Sequence, residues 1–192
     1  MQITILRHGI PDLSGWDKIQ SSKMPEWINA YNSAGVKNDI GLSCQEMVSE
    51  LRHNYIVCSS LNRSTHSAKI IGYQSPQLID AIFREAELPK IQLPIIRLTP
   101  HVWSMIFRVF WFAGVSPKVE SIEEFKSRVL LGAEKLIQLA KKHDSVLLIG
   151  HGIINRFLAK ELISKGWLGE ESPNGKKYWG YKYWEYATYT KI

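Results

Sequence analysis

The run Val146-Leu147-Leu148-Ile149 is the tightest constraint on how this chain folds. Four consecutive apolar residues leave no polar face to show to water, and Gly150-His151-Gly152 stops the run at strand length. A strand with no wet face belongs in the middle of a sheet covered on both sides, as parallel sheets are. Parallel neighbours need crossover connections, usually helices. The chain supplies both parts. Residues 2–6 and 55–58 read as strands, 95–98 as a short one, and 183–190 as a last strand rich in Tyr and Thr. Helices are expected near 26–32, from Ser43 (three before Glu46) to about His53, over 64–71, and from Gly152 to about Lys165. Ser121 and Glu124 have capping-box spacing, and apolar positions recur from Ile122 to Ala140 before the basic end Lys141-Lys142-His143. The expectation is an α/β fold: a three-layer α/β/α sandwich with a mostly parallel central sheet.

At 192 residues, this is one domain's worth of chain. A single domain over 1–192 is expected, with a lid or insertion around 85–120. An apolar share of 45% and a charged share of 22% exclude a disordered chain, a collagen-like fibre and a coiled coil. Lys and Arg number 24 against 18 Asp and Glu, a formal charge of +6 that favours anionic partners without choosing among them. No stretch is long and apolar enough to cross a membrane, and no leader-like segment follows Met1. The only cysteines, Cys44 and Cys58, build neither a disulfide framework nor a four-cysteine metal site. A cytoplasmic protein is expected.

Ligands of open α/β sheets bind beyond the carboxyl ends of the strands. Three strands here end in chemically capable residues: Arg7-His8-Gly9, the stretch from Cys58 to Arg63, and Gly150-His151-Gly152. A histidine at such a tip can be nucleophile, base or metal ligand. Metal binding is the weaker reading, because the histidines lack a nearby carboxylate or thiolate and have Arg7 and Arg156 close in sequence. Arginine forks match phosphate oxygens, and Arg63 falls near a helix start where backbone N–H groups also favour an anion. The two histidines and two arginines at the strand tips, His8, His151, Arg7 and Arg63, read together as a phosphate pocket containing a nucleophile.

Leu6-Arg7-His8-Gly9 resembles the signature of the histidine phosphatase (phosphoglycerate mutase-like) superfamily. The segment Cys58-Ser59-Ser60-Leu61-Asn62-Arg63-Ser64-Thr65-His66-Ser67-Ala68 is similar in spacing to that family's Ser-Ser-Pro-Leu-x-Arg-Ala-x-Gln-Thr-Ala. Phe83-Arg84-Glu85 looks like its acid segment, Gly150-His151-Gly152 its second histidine motif, and Leu42-Ser43 its Leu-Thr before a helix. The resemblance implies a metal-independent phosphomonoester hydrolase working through phosphohistidine. His8 would be the nucleophile and Glu85 the proton donor. Arg7, Arg63 and His151 would bind the phosphoryl oxygens. No cofactor and no metal are implied. The partner would be a phosphorylated small molecule or phosphate anion, not nucleic acid. Two alternatives stay open: mutase-like transfer to a second substrate oxygen, and a noncatalytic phospho-ligand-binding protein.

The chain departs from the pattern in places. Ile10 and Asp17 stand where family contacts to phosphate are expected, Ser60 replaces a proline, and Pro89 replaces a glycine. Glu87 rivals Glu85 as the acid. Trp103, Phe107, Phe110 and Trp111 lie at helical spacing. They fit a core stripe, a lid over the pocket, or a membrane-docking surface. Trp179, Tyr181, Tyr183 and Trp184 raise the same question.

Overall fold

A computed structural model describes residues 1–38, 48, 51–93, 95–170 and 182–192. The strands are β1 (Gln2–Arg7), β2 (Ile19–Gln20), β3 (Tyr55–Ser59), β4 (Leu78–Asp80), β5 (Arg97–Leu98), β6 (Ser145–Gly150) and β7 (Tyr186–Thr190). The helices are α1 (Met24–Ser33), α2 (Asn62–Ile70), α3 (Pro100–Phe112), α4 (Ile122–His143) and α5 (Gly152–Ser164). The helix expected from Ser43 and Glu46, and the Leu42-Ser43 motif, lie largely outside the described residues; so do Trp179 and Tyr181.

Five strands form the main sheet in the order β4-β3-β6-β1-β7, and only β7 runs antiparallel. The apolar run of β6 is central, as its composition requires. Side chains alternate across a strand, so this one run feeds two cores. Val146 and Leu148 pack with Ile3, Ile5 and Val57 against α4 and α5. Leu147 and Ile149 pack with Leu6, Ile56 and Cys58 against Ala68 and Ile71 of the α2 segment. All four residues of the run are fully buried. The result is a three-layer α/β/α sandwich with a mostly parallel sheet.

The capping box of α4 is present in full. Ser121 Oγ accepts from Glu124 N at 3.1 Å, and Glu124 Oε2 accepts from Ser121 N at 2.8 Å. The last strand is shorter than its composition suggests. Trp184 has φ +60, a left-handed conformation that interrupts extended backbone, and β7 begins two residues later. Of the short strand expected over 95–98, only Arg97–Leu98 pairs, with β2; Ile95 has φ +77.

A third apolar cluster lies apart from the sheet. Met24 and Trp27 of α1 pack with Trp103 and Phe107 of α3. Trp103 Nε1 donates to Ile19 O at 2.8 Å. Trp103, Phe107 and Trp111 are therefore core residues, each at most 1% exposed. Of the three readings of the aromatic stripe, these side chains take the first.

Candidate active site

Sheet register brings the site together. Arg7 lies opposite Gly150, so His8 and His151 leave their strands side by side, with ring centroids 5.0 Å apart. Cys58 lies opposite Ile149, which sets Ser59 beside the same tip. Its Oγ is 2.5 Å from His151 Nε2. From β3 the chain turns into α2, whose second residue, Arg63, donates from Nε to His8 Nε2 at 3.1 Å. Ser64 ties the start of α2 to the sheet by donating to Ile149 O at 2.5 Å.

The close tips need small residues for packing reasons. A Cβ on Gly9 would stand 2.3 Å from the Trp184 indole, and one on Gly150 would stand 2.2 Å from Asn155 Oδ1. Asn155 uses that space: it accepts from His151 N at 3.1 Å and donates to Leu6 O at 3.0 Å, linking the two strand ends. At Gly9 and Gly150 the neighbour is the protein's own side chain.

His8 Nδ1 lies 2.7 Å from Gly9 O, an acceptor only, so Nδ1 carries the proton and the Nε2 lone pair faces Arg63. Burial, then the charges of Arg63 and Arg7, hold His8 well below the ordinary histidine pKa. His151 is held down in the same way, by burial and then by Arg63, His8 and Arg7. Both rings are 1% exposed. Neutral imidazoles among fixed cations can act as nucleophile and hydrogen-bond donor without first losing a proton.

Glu85 reaches this crevice. Its Oε2 accepts from Ile153 N at 2.9 Å and its Oε1 from Ile154 N at 3.0 Å, both in the first turn of α5 directly after His151. Oε1 also accepts from Ala86 N at 3.1 Å. A carboxylate suits the positive end of a helix, and this contact fixes its rotamer. Glu87, the rival acid, has an exposed side chain. Arg156 lies in the second turn of α5, past the tip.

Three side chains at the pocket were not assigned to it from the sequence. Arg63 also donates to Tyr31 O at 3.2 Å and to Asn32 Oδ1 at 3.1 Å. An amide thus reaches the arginine from α1, far in sequence from Asp17. The Tyr31 ring covers the Arg63 guanidinium at 4.4 Å, and the Tyr183 ring covers that of Arg7 at 4.0 Å. A hydrogen bond joins the two tyrosines, and burial raises the Tyr31 phenol, which stays neutral. No local motif marks these residues. Cys58 is no rival nucleophile, because burial pushes its thiol up to about 12. Among the described residues, no three of His, Cys, Asp and Glu gather as a metal-ligand set.

Comparison with known proteins bears on the fold and on the family. The fold matches a mycobacterial glucosyl-3-phosphoglycerate phosphatase solved with VO3, at 18% identity and TM-score 0.60, covering 97% of this chain and 91% of that one. It also matches the α-ribazole phosphatase of Shigella flexneri, at 16% identity and TM-score 0.52 over 85% and 80% of the two chains. A Thermus thermophilus protein, TTHB049, matches at 20% identity and TM-score 0.53, covering 84% and 85%. No curated protein matches in sequence. The sequence profile that does match covers residues 42–171, taking in Arg63, Glu85 and His151, and by it the chain belongs to the histidine phosphatase superfamily, branch 1.

Proposed function

We propose that the chain hydrolyses phosphomonoesters through a phosphohistidine on His8. The observation that carries this reading is the state of His8: Nδ1 is anchored as a donor on Gly9, and the Nε2 lone pair accepts from Arg63 Nε–H. A phosphoryl oxygen competes for that N–H. When Arg63 turns to the oxygen, the lone pair is released toward phosphorus. The N–P bond then forms as the P–O bond to the leaving group breaks. Arg7, Arg63 and His151 stabilise the charge on the phosphoryl oxygens. Glu85 protonates the leaving oxygen. Its Oε2 accepts one backbone bond where Oε1 accepts two, so Oε2 is the oxygen with room for the proton. Water next attacks phosphorus and gives its proton to Glu85, the N–P bond breaks, and phosphate leaves.

Two arginines supply the positive charge that a metal would otherwise provide, so turnover is expected to survive a chelator. The test is release of phosphate from a panel of phosphomonoesters with chelator present, with acid-labile, alkali-stable label on the chain during turnover. His8→Ala should remove both label and activity. Label that persists in His8→Ala, or activity that needs an added divalent metal, overturns the mechanism.

A further inference from the structure

Helix α3 is apolar on both sides. Its inner face carries Trp103, Phe107 and Trp111. Its outer face carries Met105, 63% exposed, and Val109, 54% exposed, one turn apart. Phe112 lies along the same line, and Val115 follows at 43% exposure. A surface helix normally turns charge to the solvent. The one charged residue of α3, Arg108, instead donates inward to the carbonyls of Ala86 and Glu87 and lies over the Trp111 ring.

The flanking sequence has one sign. From Leu88 to Val119 the sequence has no Asp or Glu, while Lys90, Arg97, Arg108 and Lys118 fall within it. Lys90, Arg97 and Lys118 are exposed. Lys90 N donates to Pro117 O at 3.4 Å, which gathers Lys90 and Lys118 near the end of α3. Arg97 lies just ahead of its start, next to Ile95 and Ile96, which are 88% and 50% exposed. The nearest acids along the chain lie at the borders. Glu120 is paired with Arg128, and Glu87 precedes the run.

We propose that the outer face of α3 docks on an anionic lipid surface. An exposed apolar helix face with basic residues at its ends matches what an interfacial helix offers a membrane. A second copy of the chain fits poorly. A two-fold interface pairs this face with itself, and the run from Leu88 to Val119 offers no acid to meet the partner's lysines and arginine. The proposal is independent of the phosphatase reading, since it uses none of the pocket residues.

The test is co-sedimentation with vesicles of phosphatidylcholine alone and of phosphatidylcholine with phosphatidylserine, with the mass in solution measured by light scattering. The chain should pellet with the anionic vesicles only, and added salt should release it. Met105→Glu with Val109→Glu sits at exposed positions, so the melting temperature should hold while vesicle affinity falls by an order of magnitude or more. Lys90→Glu with Lys118→Glu should weaken binding by about fivefold or more per residue. If the variants unfold, Met105→Ser with Val109→Ser replaces them and should still lower affinity. Failure to pellet, equal binding to neutral vesicles, unchanged binding by both apolar-face variants, or a dimer that the apolar-face variant dissolves would each overturn the proposal. The last outcome would assign the face to a second copy.

Discussion

Lowering the pH should destabilise this protein well before its carboxylates titrate. His8 and His151 are buried among arginines, and both are pushed well below the unfolded value of 6.5. A histidine whose folded pKa is depressed gives stability that is present above 6.5 and is lost as pH falls, because the unfolded chain takes up protons that the folded chain refuses. With both rings neutral in the fold, moving from pH 7.5 to 5.5 costs at most about 2.7 kcal/mol for the pair. For a chain of this size that is a fall in Tm of roughly 5–11 °C. His53, half-buried against Thr4, adds in the same direction. Asp80 and Glu124 have lowered values too, but their reference values of 3.8 and 4.5 put their losses at more acid pH. The assay is thermal unfolding followed by circular dichroism across pH 5.5–7.5. His8→Ala with His151→Ala should flatten most of the slope, whatever it does to the absolute Tm. A wild-type Tm that does not change over this window, or a double variant with the full slope, would show that the buried histidines are not held neutral.

Two further expectations concern single side chains. Glu85→Gln should slow an alkyl phosphate far more than an aryl phosphate with an acidic phenol, by about 10²–10⁴-fold, while Glu87→Gln should change both rates little; a leaving-group dependence that follows Glu87 instead moves the acid by two residues. Ile95 holds a left-handed φ of +77 with an exposed, β-branched side chain, so Ile95→Gly should raise stability by about 1 kcal/mol in denaturant titration, and a loss of that size would show that the isoleucine makes up its strain in contacts.

The sequence was most informative where local chemistry and packing ask for the same thing. Val146-Leu147-Leu148-Ile149 had to be buried on both faces, and it is. Ser121 and Glu124 satisfy each other's backbone groups without help from the rest of the chain, so their spacing was enough. His8, Arg63 and His151 could be expected to converge because strands in one sheet end at one edge. Partners set by tertiary approach were not readable. Asn32 reaches Arg63 because α1 packs against α2, and nothing near Asn32 in sequence announces it. Tyr183 meets Arg7 because Trp184 turns the backbone left-handed before β7. The three-residue strand β4 was missed, since Leu78-Ile79-Asp80 has too few residues to show a period.

The strand order has a consequence for how such a chain is made. β1 leaves the ribosome before the other strands of its sheet, yet its neighbours there are β6 and β7, at Ser145–Gly150 and Tyr186–Thr190. During synthesis of everything between, β1 is an apolar ribbon with both edges bare, the kind of segment that chaperones bind and that aggregates template on. His8 therefore gains its ring neighbour His151 only after β6 has been made. Truncated chains that end before β6 are expected to carry the first half of the pocket and no fold to hold it.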